Sequence, residues 1–197
     1  MSGSLPRVVV LASGSGTLAQ AIFDDAAAHG DYAVPALVTD KPAAAVAQRA
    51  NDCGVSVVAM PVGDYENRAQ WDAALAKELA ALEPALIVSA GFMRILGPAV
   101  LARFEGKIIN SHPSLLPQFP GARAVADALA AGVEQTGTSV HLVDAGVDTG
   151  EVLAQIVVDI AVDDTEESLH ERIKVHERRL IVQVLRQRLG LPATSRQ

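Results

Sequence analysis

Short runs of β-branched and aliphatic residues alternate along the chain with longer segments whose apolar residues keep helical spacing. The runs cover residues 7–12, 33–39, 55–60 and 84–90, with a shorter one at 107–109. The segments between them place Leu18, Ile22 and Phe23 in the first, residues 43–52 in the second, and Trp71, Leu75, Leu79 and Leu82 in the third. Such runs are typical of buried strands. Four strands that alternate with helices predict a parallel, doubly wound sheet.

The C-terminal part has a different pattern. A short helix is predicted from about Arg123 to Ala131, followed by strands over residues 138–143 and 152–162. An acidic, capped start at residues 163–167 then leads into a helix with one apolar face, formed by Leu169, Ile173, Leu180, Val184 and Leu185. We therefore predict a single α/β domain over residues 1–197. Its Rossmann-like parallel half spans about 7–110, and a half with a mixed sheet extension spans about 111–190.

Composition and charge narrow the class of protein. Half of the 197 residues are hydrophobic, and the formal net charge of −7 argues against nucleic acid or an anionic membrane as the main partner. The single cysteine, Cys53, excludes an internal disulfide and a cysteine-cluster metal site, and it is expected to be buried. We find neither a secretory leader nor an apolar run long enough to span a bilayer. We expect a soluble, cytoplasmic protein that needs no metal.

A glycine-rich loop follows the first strand. Residues 13–17 read Ser-Gly-Ser-Gly-Thr and lead into a helix, an arrangement that can hold a phosphate with backbone N–H groups and the positive end of the helix dipole. The same segment fits a dinucleotide-binding pattern, since Asp40 ends the next strand at about the expected distance. A tight structural turn is the third interpretation. The loop alone does not distinguish among them.

The segment from Asn110 to Pro117 carries the candidate catalytic residues. Asn110 and His112 stand two residues apart at the end of a strand, so their side chains project to the same face. Pro113 favours an extended backbone at His112, and Pro117 fixes the far side of the loop, so the imidazole is restrained. Asp148 would stabilise the imidazolium of His112 if its glycine-rich loop folds toward the same edge. His141 is expected to be structural, hydrogen-bonded beneath that loop, and a polar turn with a backbone-bonded His112 is the competing interpretation.

Two further loops have less specific signals. Asp64 is a candidate cap for the helix that contains Trp71, and Arg68 lies in the first turns of that helix, where a cation opposes the dipole unless a ligand or an acid compensates. The loop after the fourth strand reads Gly-Phe-Met-Arg-Ile-Leu over residues 91–96. Its apolar side chains could line a pocket for a flat heterocycle, although packing against the core is the commoner use of such residues.

Taken together, these segments resemble the folate-dependent formyltransferases, and most closely the members that act on a glycinamide ribonucleotide in de novo purine synthesis. The resemblance rests on Asn110-x-His112-Pro113-Ser114-Leu115-Leu116-Pro117, on Thr138-Ser139-Val140-His141, and on Asp148-x-Gly150. The glycine loop and residues 91–96 extend it over nearly the whole chain. It implies a formyltransferase fold in which 10-formyltetrahydrofolate, a co-substrate, donates its formyl group to the glycyl amine of 5-phosphoribosylglycinamide (GAR).

The resemblance also implies roles for residues at matching positions. Asn110, His112 and Asp148 would be catalytic, with Asn110 and protonated His112 donating to the oxygen of the tetrahedral intermediate. The folate would be held by Arg68, Met93, Arg94, Ile95, Leu96 and Asn110. GAR would be held by Gly16, Thr17 and Leu18 at its phosphate and by Glu177 at its ribose. Residues 123–125 depart from the histidine-containing segment of some relatives. The expected partners are these two small molecules, together with a second copy of the chain in a homodimer.

Other classes of protein share parts of this pattern. Methionyl-tRNA formyltransferase carries a C-terminal tRNA-binding domain, for which this acidic chain is expected to be too short. Formyltetrahydrofolate deformylase has the same three catalytic residue types, and a formyltransferase for another amine would also fit. A dinucleotide-dependent oxidoreductase would explain Asp40 but not Asn110, His112 and Asp148. A catalytically silent nucleotide-binding module would have no use for those three residues.

Overall fold

A computed structural model describes residues 4–193. One seven-stranded sheet has the order β3-β2-β1-β4-β5-β6-β7. The strands are β1 (Arg7–Leu11), β2 (Ala33–Thr39), β3 (Ser56–Ala59), β4 (Leu86–Ser89), β5 (Ile108–His112), β6 (Gln135–Leu142) and β7 (Val152–Asp159). Strands β1 to β5 are parallel, whereas β6 pairs antiparallel with both β5 and β7. The predicted α/β class, with a parallel N-terminal half and a mixed extension, is confirmed.

Helices cover both faces of the sheet. They are α1 (Thr17–His29), α2 (Ala45–Asp52), α3 (Arg68–Ala81), α4 (Pro98–Arg103), α5 (Ala124–Ala131) and α6 (Glu166–Arg188). Alternate residues of the central strands divide between two cores, as the period of two in a strand requires. Val8, Val10 and Ile109 pack with α1, α2 and α6. Val9, Leu11 and Ile108 pack with α3 and α4 on the other face.

Some sequence predictions need correction. The N-cap of α3 is Asn67, whose side chain accepts from the Gln70 N–H at 3.0 Å, while Asp64 lies in a separate 3-10 turn. The six-residue helix α4 was not predicted. Strand β6 begins at Gln135 rather than at residue 138, and β7 ends at Asp159 rather than at 162. Cys53 is exposed rather than buried, because it follows the last turn of α2 outside the core.

None of the helices described between residues 4 and 193 is both long enough and apolar enough to cross a membrane.

Candidate active site

The unusual loops of the sequence follow β1, β4 and β5, at the carboxyl ends of neighbouring parallel strands. In open α/β sheets this edge is where ligands bind, and the crevice lies where the strand order reverses direction. Here the chain runs outward from β1 to β2 and β3, and then returns to β4 on the other side of β1. The glycine loop after β1 therefore opens on that crevice.

Asn110 and His112 occupy alternate positions on β5 and share a face with Ile108. Cross-strand pairing sets Asn110 opposite His141 and His112 opposite Ser139 on β6. Directly paired residues of antiparallel strands point to the same side of the sheet. Two polar residues from each strand therefore meet on one face at the end of the sheet.

Asp148 reaches this face from the loop between β6 and β7. One carboxylate oxygen, Oδ2, lies 3.3 Å from His112 Nδ1 and accepts from the Gly121 N–H at 2.8 Å. The other oxygen, Oδ1, lies 3.5 Å from His141 Nε2. The close approach of His141, together with the Gly121 N–H and the nearby His112, holds the pKa of Asp148 below its usual range although partial burial raises it. The structure thus brings Asn110, His112 and Asp148 together, as the sequence predicted.

Both ring nitrogens of His112 face oxygen acceptors. Nδ1 faces Asp148, and Nε2 lies 2.8 Å from the carbonyl oxygen of Phe119. A ring that carries a proton on each nitrogen can donate to both of these oxygens. The residue is buried, with 4% of its surface exposed, so water has little access to either contact.

His141 was missed as a member of this group. Its Nδ1 lies 2.8 Å from the Leu142 carbonyl oxygen, and its Nε2 lies 3.1 Å from Asn110 Nδ2. The ring therefore links the amide of Asn110 to the carboxylate of Asp148, rather than merely supporting the loop from beneath. A sign of this role is present in the sequence. His141 and Ser139 are two residues apart on one predicted strand, so their side chains lie on the same face of the sheet.

The loop after His112 is fixed from β6 and β7. Ser139 Oγ donates to the Ser114 carbonyl oxygen at 2.6 Å and accepts from the Leu116 N–H at 3.0 Å. Gln155 Nε2 donates to the Leu116 carbonyl oxygen at 2.9 Å. These buried bonds satisfy backbone groups of an irregular segment that would otherwise lack partners.

A cleft of about 270 Å³ lies beside Asp148. Its walls come from this loop and from the loop before β7, and are formed by Leu116, Pro117, Pro120, Asp148, Thr149, Gly150 and Val152. The apolar walls and the single carboxylate suit an aromatic ligand with a few polar groups.

Helix α1 begins at the glycine loop. Its first backbone bond runs from the Gln20 N–H to the Gly16 carbonyl oxygen at 2.8 Å, so the N–H groups of Thr17, Leu18 and Ala19 precede the intrahelical ladder. Gly16 has a φ of +75°, which glycine adopts without strain. The loop therefore has the geometry of an anion site. Leu18 contributes its backbone N–H group to this site, and its side chain takes no part in binding the anion.

Asp40 is fully engaged within the protein. Ser13 Oγ donates to Oδ1 at 2.5 Å, and Arg94 Nε donates to Oδ2 at 2.6 Å. Burial would raise its pKa, but the bonds from Ser13 and Arg94 hold the pKa of Asp40 below its usual value. Ser13 Oγ also accepts from the Met93 N–H at 2.9 Å. Asp40 joins the glycine loop to the loop after β4, and its side chain is fully buried. It is therefore out of reach of a ribose, and the dinucleotide interpretation loses its second residue.

The loop after β4 is held by α3. Arg68 Nη2 donates to the Ile95 carbonyl oxygen, and its guanidinium lies 4.4 Å from the centre of the Trp71 ring. Met93 and Ile95 are about two-thirds exposed, at 65% and 66%, whereas Leu96 is buried. Packing against the core therefore explains Phe92 and Leu96, but not Met93 and Ile95. Large apolar side chains exposed together usually mark a binding surface.

Glu177 lies on the other face of the sheet. It projects from α6 and accepts from Ser111 Oγ at 2.8 Å, and Ser111 points away from Asn110 and His112. Burial raises the pKa of Glu177, and the Ser111 bond together with nearby Lys174 and Arg178 offsets this only in part. The structure does not bring Glu177 into the group around His112.

Comparison with known proteins agrees with this arrangement. Residues 6–185 match the formyl transferase family model. The chain is 54% identical over 178 residues to phosphoribosylglycinamide formyltransferase of Mycobacterium tuberculosis, covering 89% of this chain and 81% of that protein. It is 40% identical over 188 residues to the Bacillus subtilis protein of the same name, covering 95% and 96%. The crystal structure of glycinamide ribonucleotide transformylase 1 from Symbiobacterium toebii matches with a TM-score of 0.92 at 39% identity, covering 96% and 90%. The chain therefore belongs to the formyl transferase family, within its group of phosphoribosylglycinamide formyltransferases.

Proposed function

We propose that this protein transfers the formyl group of 10-formyltetrahydrofolate to the glycyl amine of GAR, giving N-formyl-GAR and tetrahydrofolate in purine biosynthesis. The observation that carries the proposal is the meeting of Asn110, His112 and Asp148 at the sheet edge. An amide donor beside a restrained imidazole with a carboxylate partner suits acyl transfer through an oxyanion. The relatives that bear the name of this enzyme support the same activity.

The reaction follows from the charges that develop at the formyl carbon. The amine nitrogen attacks this carbon, a C–N bond forms, and the carbonyl oxygen becomes negative. The second N–H of Asn110 Nδ2 donates to that oxygen, because His141 occupies only one. Protonated His112 also donates to the oxygen. As the carbonyl reforms, the bond from the formyl carbon to N10 breaks, N10 takes the His112 proton, and the proton lost by the attacking nitrogen returns to His112. Asp148, ionised because its pKa is low, stabilises the imidazolium until that transfer.

His112 must exchange a partner during the reaction. Its Nε2 is bound to the Phe119 carbonyl oxygen, while Nδ1 faces Asp148. The Nε2 proton reaches the substrate only when the Phe119 carbonyl withdraws or the substrate oxygen replaces it. Movement of residues 117–121 is therefore part of the proposed cycle.

Substrate contacts complete the proposal. Met93, Arg94, Ile95 and Leu96 hold the pterin side of the folate beside Asn110, and Arg68 lies by its tail. Gly16, Thr17 and Leu18 bind the phosphate of GAR through backbone N–H groups. Glu177 accepts from the ribose hydroxyls, and it does so from the face of the sheet on which α1 also packs.

Several expectations from the sequence belong to the same proposal. The N-terminal half serves the nucleotide, and the second half supplies the catalytic loops. The protein acts in the cytoplasm, and it can form a homodimer. Size-exclusion chromatography with light scattering tests this last expectation.

Identification of the product tests the proposed function. Purified protein, 10-formyltetrahydrofolate and GAR should yield formylated GAR by mass spectrometry, with tetrahydrofolate formed in equal amount. Free formate in place of N-formyl-GAR would indicate a deformylase instead.

A further inference from the structure

Helix α2 contacts three consecutive residues of the glycine loop. The Val46 N–H donates to the Gly14 carbonyl oxygen at 3.2 Å, and Arg49 Nε donates to the Ser15 carbonyl oxygen at 2.8 Å. The Val46 side chain packs against Gly16 so closely that a Cβ on Gly16 would lie 2.5 Å from Val46 Cγ2. The conformation of the loop therefore depends on a helix about thirty residues further along the chain.

Arg49 brings a positive charge to this loop. Between residues 4 and 193, ion pairs of arginine with a carboxylate within 4.0 Å involve Arg94, Arg123, Arg172 and Arg186, and Arg49 is not among them. Its bond to Ser15 uses the Nε proton, which leaves the four η protons of the guanidinium for other acceptors. An arginine with this geometry suits a phosphate, whose oxygens match the planar fork.

The charge matters because the rest of the chain is acidic. The formal net charge is −7, and the backbone N–H groups at the start of α1 carry only partial charges. A phosphate monoester is close to doubly negative at neutral pH. It needs a nearby cation, and Arg49 is bonded to the residue directly before Gly16.

We propose that Arg49 is a substrate-binding residue for the phosphate of the acceptor. Its Nε fixes the Ser15 carbonyl, and its η nitrogens donate to phosphate oxygens held by the N–H groups of α1. This inference rests on the proposed function, since it assigns a side chain to the phosphate subsite of GAR.

Steady-state kinetics of Arg49→Met and Arg49→Lys test the assignment. Loss of a charge-assisted bond should raise KM for GAR by about tenfold in Arg49→Met. The value of kcat and the KM for 10-formyltetrahydrofolate should stay within about twofold, because the catalytic loops are untouched. Arg49→Lys should recover part of the loss. Inorganic phosphate should compete with GAR less effectively in Arg49→Met than in the unmodified protein.

Arg103→Met is the matched control, because Arg103 is an exposed arginine at the end of α4. It should leave both KM values unchanged.

An Arg49→Met enzyme with the KM for GAR of the unmodified protein would overturn the inference and leave the proposed function intact. A fall in kcat with a rise in both KM values would also overturn it, since that pattern indicates a general structural role. Absence of any formylated GAR with the unmodified protein would overturn both proposals. If Arg49→Met does not fold, Arg49→Gln, which also lacks the charge, takes its place in the same comparison.

Discussion

Asp148 combines strained geometry with dense contacts. Its φ of +54° is uncommon for a residue with a side chain, and such positions typically cost about 1 kcal/mol or more. This backbone conformation places the carboxylate next to His112, His141 and the Gly121 N–H. Non-glycine residues in this region recur at functional sites, where the surrounding structure holds them.

Asp148→Asn should lower kcat by about 100-fold or more, because the imidazolium of His112 loses its charged partner. The variant should fold, since asparagine tolerates a positive φ. Circular dichroism and cooperative thermal unfolding check the fold, and product formation checks the rate. Asp163→Asn, an exposed carboxylate before α6, is the control and should keep full activity. Turnover of Asp148→Asn equal to that of the control would contradict the assigned role.

The catalytic group was predictable from the sequence because each of its members lies in a short, recognisable segment. Asn110 and His112 belong to one short segment, and Asp148 lies in a turn rich in glycine. The bonds from Asn110 to His141, from Arg94 to Asp40 and from Ser111 to Glu177 were not predictable in the same way. They join residues 31, 54 and 66 positions apart, so they depend on how the elements pack.

At the scale of elements, helix α3 holds the loop after β4. Arg68 reaches the Ile95 carbonyl, and buried Asp72 accepts from the N–H groups of Gly97 and Ala99 at 2.7 and 2.8 Å. The carboxylate thereby caps α4 from another helix. This explains why the sequence did not reveal α4, which has six residues and takes its cap from α3.

Gly97→Ala should destabilise the protein by about 1–3 kcal/mol, because the new methyl group would overlap the carboxylate of Asp72. A Cβ on Gly97 would lie 2.5 Å from Asp72 Cγ. The KM for 10-formyltetrahydrofolate should rise more than the KM for GAR. Gly63→Ala is a matched control, because its Cβ would meet nothing within 4 Å. Urea unfolding of the two variants provides the comparison, and equal stabilities would contradict the packing argument.

The α6 element contributes a buried acid. Because the folded-state pKa of Glu177 is raised, the neutral carboxyl is favoured in the native state, and stability is lost as pH rises from the unfolded pKa through the folded one. Glu177→Gln imitates the neutral acid. Its stability relative to the unmodified protein should therefore increase from about pH 4 to pH 8. Its KM for GAR should increase as well, if Glu177 accepts from the ribose.

Urea unfolding across this pH range measures the first effect. Glu171→Gln is the control. The bond from Lys174 lowers the pKa of the exposed Glu171, so its contribution changes only as pH falls below the unfolded pKa of about 4.3, and no rise should appear toward pH 8. A stability difference for Glu177→Gln that does not change with pH would contradict the buried-acid interpretation.

At the scale of the whole molecule, the sheet determines where the loops can meet. Parallel strands β1, β4 and β5 are neighbours, so their carboxyl ends bring the glycine loop, residues 91–97 and residues 113–121 to one edge. Strand β6 is antiparallel to β5 and ends beside Ile108, so the loop that follows it must fold back over the face of the sheet to bring Asp148 to His112. The sequence predicted the parallel half from its alternating pattern. It did not determine the register that sets Asn110 opposite His141, because register depends on contacts across the sheet.

The rate of tetrahydrofolate release at increasing GAR concentration tests the central claim most directly. Coupled formyl transfer predicts negligible release without the acceptor and a saturable rise with it, in step with formylated GAR. The Asp148→Asn enzyme should show the same dependence, with the rate reduced by about 100-fold or more. Release that proceeds equally fast without GAR would contradict the account.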